Sequence, residues 1–113
     1  MHESLVTESI QFANTRDEVF AVVIDTMTKL GRGGPSVDRL LGKVSGPVKK
    51  KRTPFFMCSA ELTITEKAGV TSVFIAVVCE HDSESGRSYA IQALRQIFSW
   101  LLRTDSGLTL LGK

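Results

Sequence analysis

The chain has 113 residues, 42% of them hydrophobic and 23% charged, with a formal net charge of +2 at pH 7. That length supports a core without metal or disulfide staples, and the whole chain reads as a single globular domain with its ordered core at about residues 9 to 103. So small a positive excess does not imply a nucleic-acid partner, and no apolar run approaches the ~20 residues of a membrane-spanning helix.

The start, Met1-His2-Glu3-Ser4, lacks the basic and apolar stretches of a signal peptide. This predicts a cytoplasmic protein, or an exported one that has lost a leader. Ser9 to Ala13 reads as a short first strand with Ile10 and Phe12 on one side. Asn14 and Thr15 then offer helix caps, and Thr15-Arg16-Asp17-Glu18 has the spacing of a capping box. The helix that follows carries Val19, Phe20, Val23, Met27 and Leu30 on one stripe, and Gly31 supplies a left-handed stop.

After the loop Arg32-Gly33-Gly34-Pro35-Ser36, residues Val37 to Gly46 read as a second strand that Gly42 weakens or bulges. The glycine-rich stretch is a turn. Around Gly42-Lys43 the phosphate-loop pattern fails, because Val37 and Val44 stand where glycine and a hydroxyl residue are required. Pro47 to Pro54 is a basic connector. Lys49, Lys50, Lys51 and Arg52, with Lys43 nearby, form a candidate anion-binding loop for a polyanion such as nucleic acid.

The next two strands can be read pair by pair. With Ala68-Gly69 as a two-residue turn, Ile64 faces Val73, Leu62 faces Ile75, Ala60 faces Val77 and Cys58 faces Cys79. Side chains alternate with period two, so these eight share one face, which is core. Cys58 and Cys79 are either two buried thiols or a disulfide. The opposite face carries Glu61, Thr63 and Thr65 on one strand and Ser72, Phe74, Ala76 and Val78 on the other. Phe74, Ala76 and Val78 break the polar pattern of a wet sheet face. Either another segment of the chain covers them or they meet a second copy or a partner.

Asp82 to Gly86 is a loop. Arg87 to Arg103 is the clearest helix, with Ala90, Ile91, Leu94, Ile97, Phe98 and Leu101 as its apolar stripe and Tyr89, Ala93 and Trp100 on the flank. Leu108 to Leu111 is an apolar tail able to cover part of the sheet.

This order predicts an α+β domain: an antiparallel sheet of about four strands (β-α-β-β-β-α) with two helices packed on one face. The segment Val37-Asp38-Arg39-Leu40-Leu41-Gly42-Lys43-Val44-Ser45-Gly46, following a helix and a glycine, resembles small bacterial domains of unknown function, often tethered as lipoproteins. The resemblance spans about residues 9 to 103 and implies the fold alone; no activity or functional residue comes with it.

The chain holds two histidines and no catalytic motif, so no enzyme activity, metal or cofactor is expected. The leading expectation is an interaction or homodimerisation module using Thr63, Phe74, Ala76 and Val78, with Tyr89 and Trp100 as a second surface. The alternative is a carrier whose apolar-ligand pocket lies between sheet and C-terminal helix, lined by Phe56, Leu62, Ile75, Ile97 and Phe98.

Overall fold

The computed structural model describes residues 4–31, 34–48, 58–79 and 84–112. The elements are β1 (Ser4–Phe12), α1 (Arg16–Gly31), β2 (Ser36–Asp38), β3 (Lys43–Val48), β4 (Cys58–Lys67), β5 (Val70–Cys79), α2 (Glu84–Leu101) and β6 (Leu110–Gly112), with a single 3-10 turn at Thr104–Ser106. The six strands form one antiparallel sheet in the order β2-β3-β4-β5-β1-β6. The α+β class is as expected; the strand count is not.

Two local effects raise about four strands to six. The segment read as one strand folds back on itself as β2 and β3, pairing Ser36 with Ser45 and Asp38 with Lys43. The Asp38 carboxylate accepts the Leu41 N–H at 3.0 Å, an Asx-type turn that competes with continued extension. Gly42 closes the turn at φ +70°, with its carbonyl accepting the Ile64 N–H at 2.7 Å. The apolar tail becomes the sixth strand, since Leu110–Gly112 pairs with Gln11 and Phe12 of β1.

The β4–β5 hairpin has the expected register from Lys67 opposite Val70 through to Cys58 opposite Cys79. Ala68 (φ 53°) and Gly69 (φ 80°) both take positive φ, the signature of a type I′ turn whose twist matches the strands. All eight inward side chains are buried. Cys58 and Cys79 form a disulfide, with Cα atoms 4.1 Å apart. That spacing is near the ~4.5 Å of a non-hydrogen-bonded antiparallel pair, where facing side chains come closest. The first strand begins at Ser4, earlier than the hydrophobic pattern indicates, and pairs with β5 along its whole length, Ser4 opposite Cys79 and Phe12 opposite Thr71.

Helix α1 starts with the capping box. The Thr15 hydroxyl accepts the Glu18 N–H at 3.3 Å while the Glu18 carboxylate accepts the Thr15 N–H at 3.4 Å. Asn14 does something else: its side-chain amide donates to Gly107 O at 2.9 Å and its amide oxygen accepts the Thr109 N–H at 2.7 Å. This ties the C-terminal segment back to the start of α1. Gly31 ends the helix, but not as a left-handed stop, because its φ is not positive. It is needed for closeness: a Cβ there would sit 2.7 Å from Pro47 O.

The buried faces of α1 and α2 and the inward residues of β1, β3, β4 and β5 form one cluster. Helix α1 contacts β3 and β4, α2 contacts β5, β1 and β4, and the helices touch each other. On α2 the buried stripe is turned towards Ala93: Ala90, Ala93, Leu94, Ile97 and Leu101 are buried, while Ile91 and Phe98 are half-buried.

Candidate functional site

Alternation along the strands gives the sheet two faces, and candidate residues divide between them. On the inner face, Leu62 of β4 and Ile75 of β5 stand directly opposite each other, and both are fully buried. Ile97 of α2 joins them in the core cluster, and Phe98 packs against its edge. Four of the five residues read as a pocket lining are therefore brought together; the fifth, Phe56, lies outside the described residues. Of the described residues, the buried polar ones are Thr26 and Thr71, and no charged side chain is buried. The hydroxyl of Thr71 donates to Asn14 O at 2.6 Å. The hydroxyl of Thr26 has no hydrogen-bond partner.

A polar clamp joins α1 to the end of α2. Arg103, just past α2, donates to Asp25 of α1 at 2.8 Å and to Trp100 O at 2.8 Å, and its Nε lies 3.1 Å from Asp105. Lys29 Nζ lies 5.1 Å and the Arg103 guanidinium 5.2 Å from the centroid of the Trp100 ring. Such geometry favours cation–π attraction. The side chain of Trp100 thus helps join α1 to α2, and half-buried Tyr89 packs against the core cluster. Neither lies on the sheet.

On the outer face, Thr63 stands opposite Phe74, Glu61 opposite Ala76 and Ser59 opposite Val78. The sequence reading missed one member of this surface: Leu5, opposite Val78 on β1 and 61% exposed. Its signal was legible only as the alternation Leu5, Thr7, Ser9, Gln11, out of phase with Ile10 and Phe12. Phe74 is 48% exposed, so no described segment covers it, whereas Ala76 and Val78 are half-buried. Beside it runs an open groove of about 640 Å³, lined among others by Ser36, Ser45, Pro47, Glu61, Ala76 and Val78.

The candidate anion loop Lys49 to Arg52 lies outside the described residues. Lys43 is within them, and its ammonium pairs with Glu61 at 3.4 Å. Among the described residues no helix is long and apolar enough to cross a membrane.

No protein-family model matches the chain, and no curated protein does. Among solved structures it is similar to Ara h 8.0201, with a TM-score of 0.62 at 10% sequence identity over 88% of this chain and 95% of that one. It is also similar to DynU16 of the dynemicin biosynthetic locus, at a TM-score of 0.46 and 16% identity over 87% of this chain and 47% of that one. A third is the Zhui aromatase/cyclase from Streptomyces sp. R1128, at 0.41 and 13% over 87% and 86%. At such identity the likeness to Ara h 8.0201 is one of fold.

Proposed function

We propose that the chain is a non-enzymatic carrier of a small apolar ligand, held between the inner face of the sheet and α2, with both helices on that face. The observation that carries this reading is the fold, whose likeness to Ara h 8.0201 is to a Bet v 1-like structure, a class that binds hydrophobic ligands. The interior is apolar: Leu62, Ile75 and Ile97 share one buried cluster with Phe98 packed against it, and no charged side chain is buried among the described residues. Ligand sites of this kind are mostly apolar, with few polar groups fixing orientation.

The test is a fluorescence titration of the purified protein with N-phenyl-1-naphthylamine, beside mass spectrometry of an organic extract. Saturable binding at one probe per chain is expected. A probe that does not saturate, with no apolar compound in the extract, removes the reading.

A second reading, self-association through the outer face, rests on exposed Leu5, opposite Val78, and exposed Phe74, which follows half-buried Val78 and Ala76 along the same face of β5. Apolar patches of this sort mark contact surfaces. Molar mass in solution decides it, and a monomer at every concentration removes it.

A further inference from the structure

We propose that a second copy of this chain adds its β1 to the open edge of β1, antiparallel and about a two-fold axis through Thr7, to make one continuous sheet. This rests on the self-association reading and assigns its contact to a strand edge.

The ladder identifies which backbone groups are open. Along an antiparallel pair, residues alternate between bonding the partner strand and bonding away from it. The two-residue turn of the β4–β5 hairpin makes Lys67 and Val70 a bonded pair, so Ser72, Phe74, Ala76 and Val78 turn their N–H and C=O groups to β4. Gln11, Ser9, Thr7 and Leu5 stand opposite these four and therefore turn their own groups away from β5. Two contacts agree with this parity. Ala13, in phase with them, donates its N–H to Thr109 O at 2.9 Å, on the outer side of β1. The Ser9 N–H goes to the Glu8 carboxylate at 3.3 Å, the side chain of its own neighbour.

Strand β6 covers only the far end of this edge, where Gly112 pairs with Gln11 and Leu110 with Phe12. From Leu5 to Ser9 no described segment pairs with it. Natural edges are commonly blunted by proline, lysine or a bulge. Strand β1 holds no Pro, Lys or Arg, and its irregularity falls between Gln11 and Phe12, outside the open stretch.

That stretch has the symmetry a second copy needs. It is centred on Thr7, so a two-fold axis there sets Thr7 opposite Thr7 of the second copy and Leu5 opposite its Ser9. All three pairs are of the bonded kind, with Glu8 ceding the Ser9 N–H to the ladder. The side chains fit the same register. Ser9 stands opposite Phe74 and, in the joined sheet, lies between Phe74 and Leu5 of the second copy. With strands about 4.8 Å apart, small Ser9 leaves the phenyl ring room to reach that leucine. Exposed Leu5 and exposed Phe74 thus cover each other, once on each side of the axis.

The experiment is a concentration series read by light scattering and by amide exchange, on wild type, Thr7→Pro and Thr7→Lys. Proline at position 7 removes an N–H that faces away from β5, so the far-ultraviolet circular dichroism of the folded chain should persist. The lysine variant keeps the backbone donor and sets two like charges face to face across the axis. Wild type should dimerise, and each variant should raise the dissociation constant at least about tenfold. In wild type the Leu5 and Thr7 amides should exchange at least about tenfold more slowly in the dimer than in the monomer, while those of Val6 and Glu8, bonded to β5, stay protected in both. A wild-type dimer whose Leu5 and Thr7 amides gain no protection, or one that is equally tight in Thr7→Lys, overturns the edge pairing and leaves self-association through the outer face standing. A wild-type monomer at every concentration overturns both.

Discussion

Gly42 shows how one residue decides topology. Its φ of +70° belongs to the left-handed region, and a Cβ there would lie 2.5 Å from Ile64 O. The same residue's carbonyl receives the Ile64 N–H, so the β2–β3 turn is fastened to β4. Gly42→Ala should cost about 1–3 kcal/mol, from strain and the displaced backbone together. Urea unfolding measures this directly, and an unchanged midpoint contradicts it. From sequence, Gly42 was legible as an interruption. Whether it marked a bulge or a reversal depended on Asp38 reaching Leu41 N–H, a contact between side chain and backbone that alternation does not report.

At the scale of elements, α1 and the β4–β5 hairpin were legible because their signals are local. The capping box holds Glu18 ionised: the Asn14 amide, then Thr15, donate to its carboxylate and lower its pKa below the usual carboxylate value. The folded pKa lies below the unfolded one. The Glu18 contribution is therefore present above the unfolded pKa and lost as pH falls through the folded pKa. Glu18→Gln should be less stable than wild type at pH 7, with the gap closing in acid. A gap that stays constant between pH 7 and pH 3 contradicts the assignment. The hairpin is also closed covalently, by a disulfide between residues 21 apart in sequence. Removing it in Cys58→Ala/Cys79→Ala should cost about 2–4 kcal/mol, chiefly by freeing the unfolded chain. Equal urea midpoints for the variant and the oxidised wild type contradict that. The register alone left the bridge open, since facing cysteines also serve as buried thiols. In the structure the pair is bridged, with the two Cα atoms 4.1 Å apart.

On the scale of the whole molecule, the two sheet faces carry different expectations. The outer patch joins Leu5 of β1 to Val78, Ala76 and Phe74 of β5. Because Phe74 is half exposed, Phe74→Asp should leave the melting temperature nearly unchanged while abolishing any dimer. Light scattering across a concentration series reads the outcome; a dimer that survives the substitution places the contact elsewhere. The inner interior has the opposite sensitivity. Leu62 and Ile75 are fully buried, and truncating either to alanine should cost about 2–5 kcal/mol through lost burial and the cavity left behind.

The sequence by itself determined what periodicity and neighbouring residues control. This covers the α+β class, both helices, the β4–β5 register, the capping box and the inward set from Ile10 to Ile97. These follow from side chains alternating every two residues or recurring every 3.6, which needs no knowledge of distant partners. Tertiary structure alone decided that β1 lies between β5 and β6, and that Leu5 belongs beside Val78. It also turned α2 towards Ala93, placed Asn14 against Thr109 and left Thr26 buried without a partner. Each of these depends on which distant segment arrives next to a residue, and a chain read in one dimension holds no record of that.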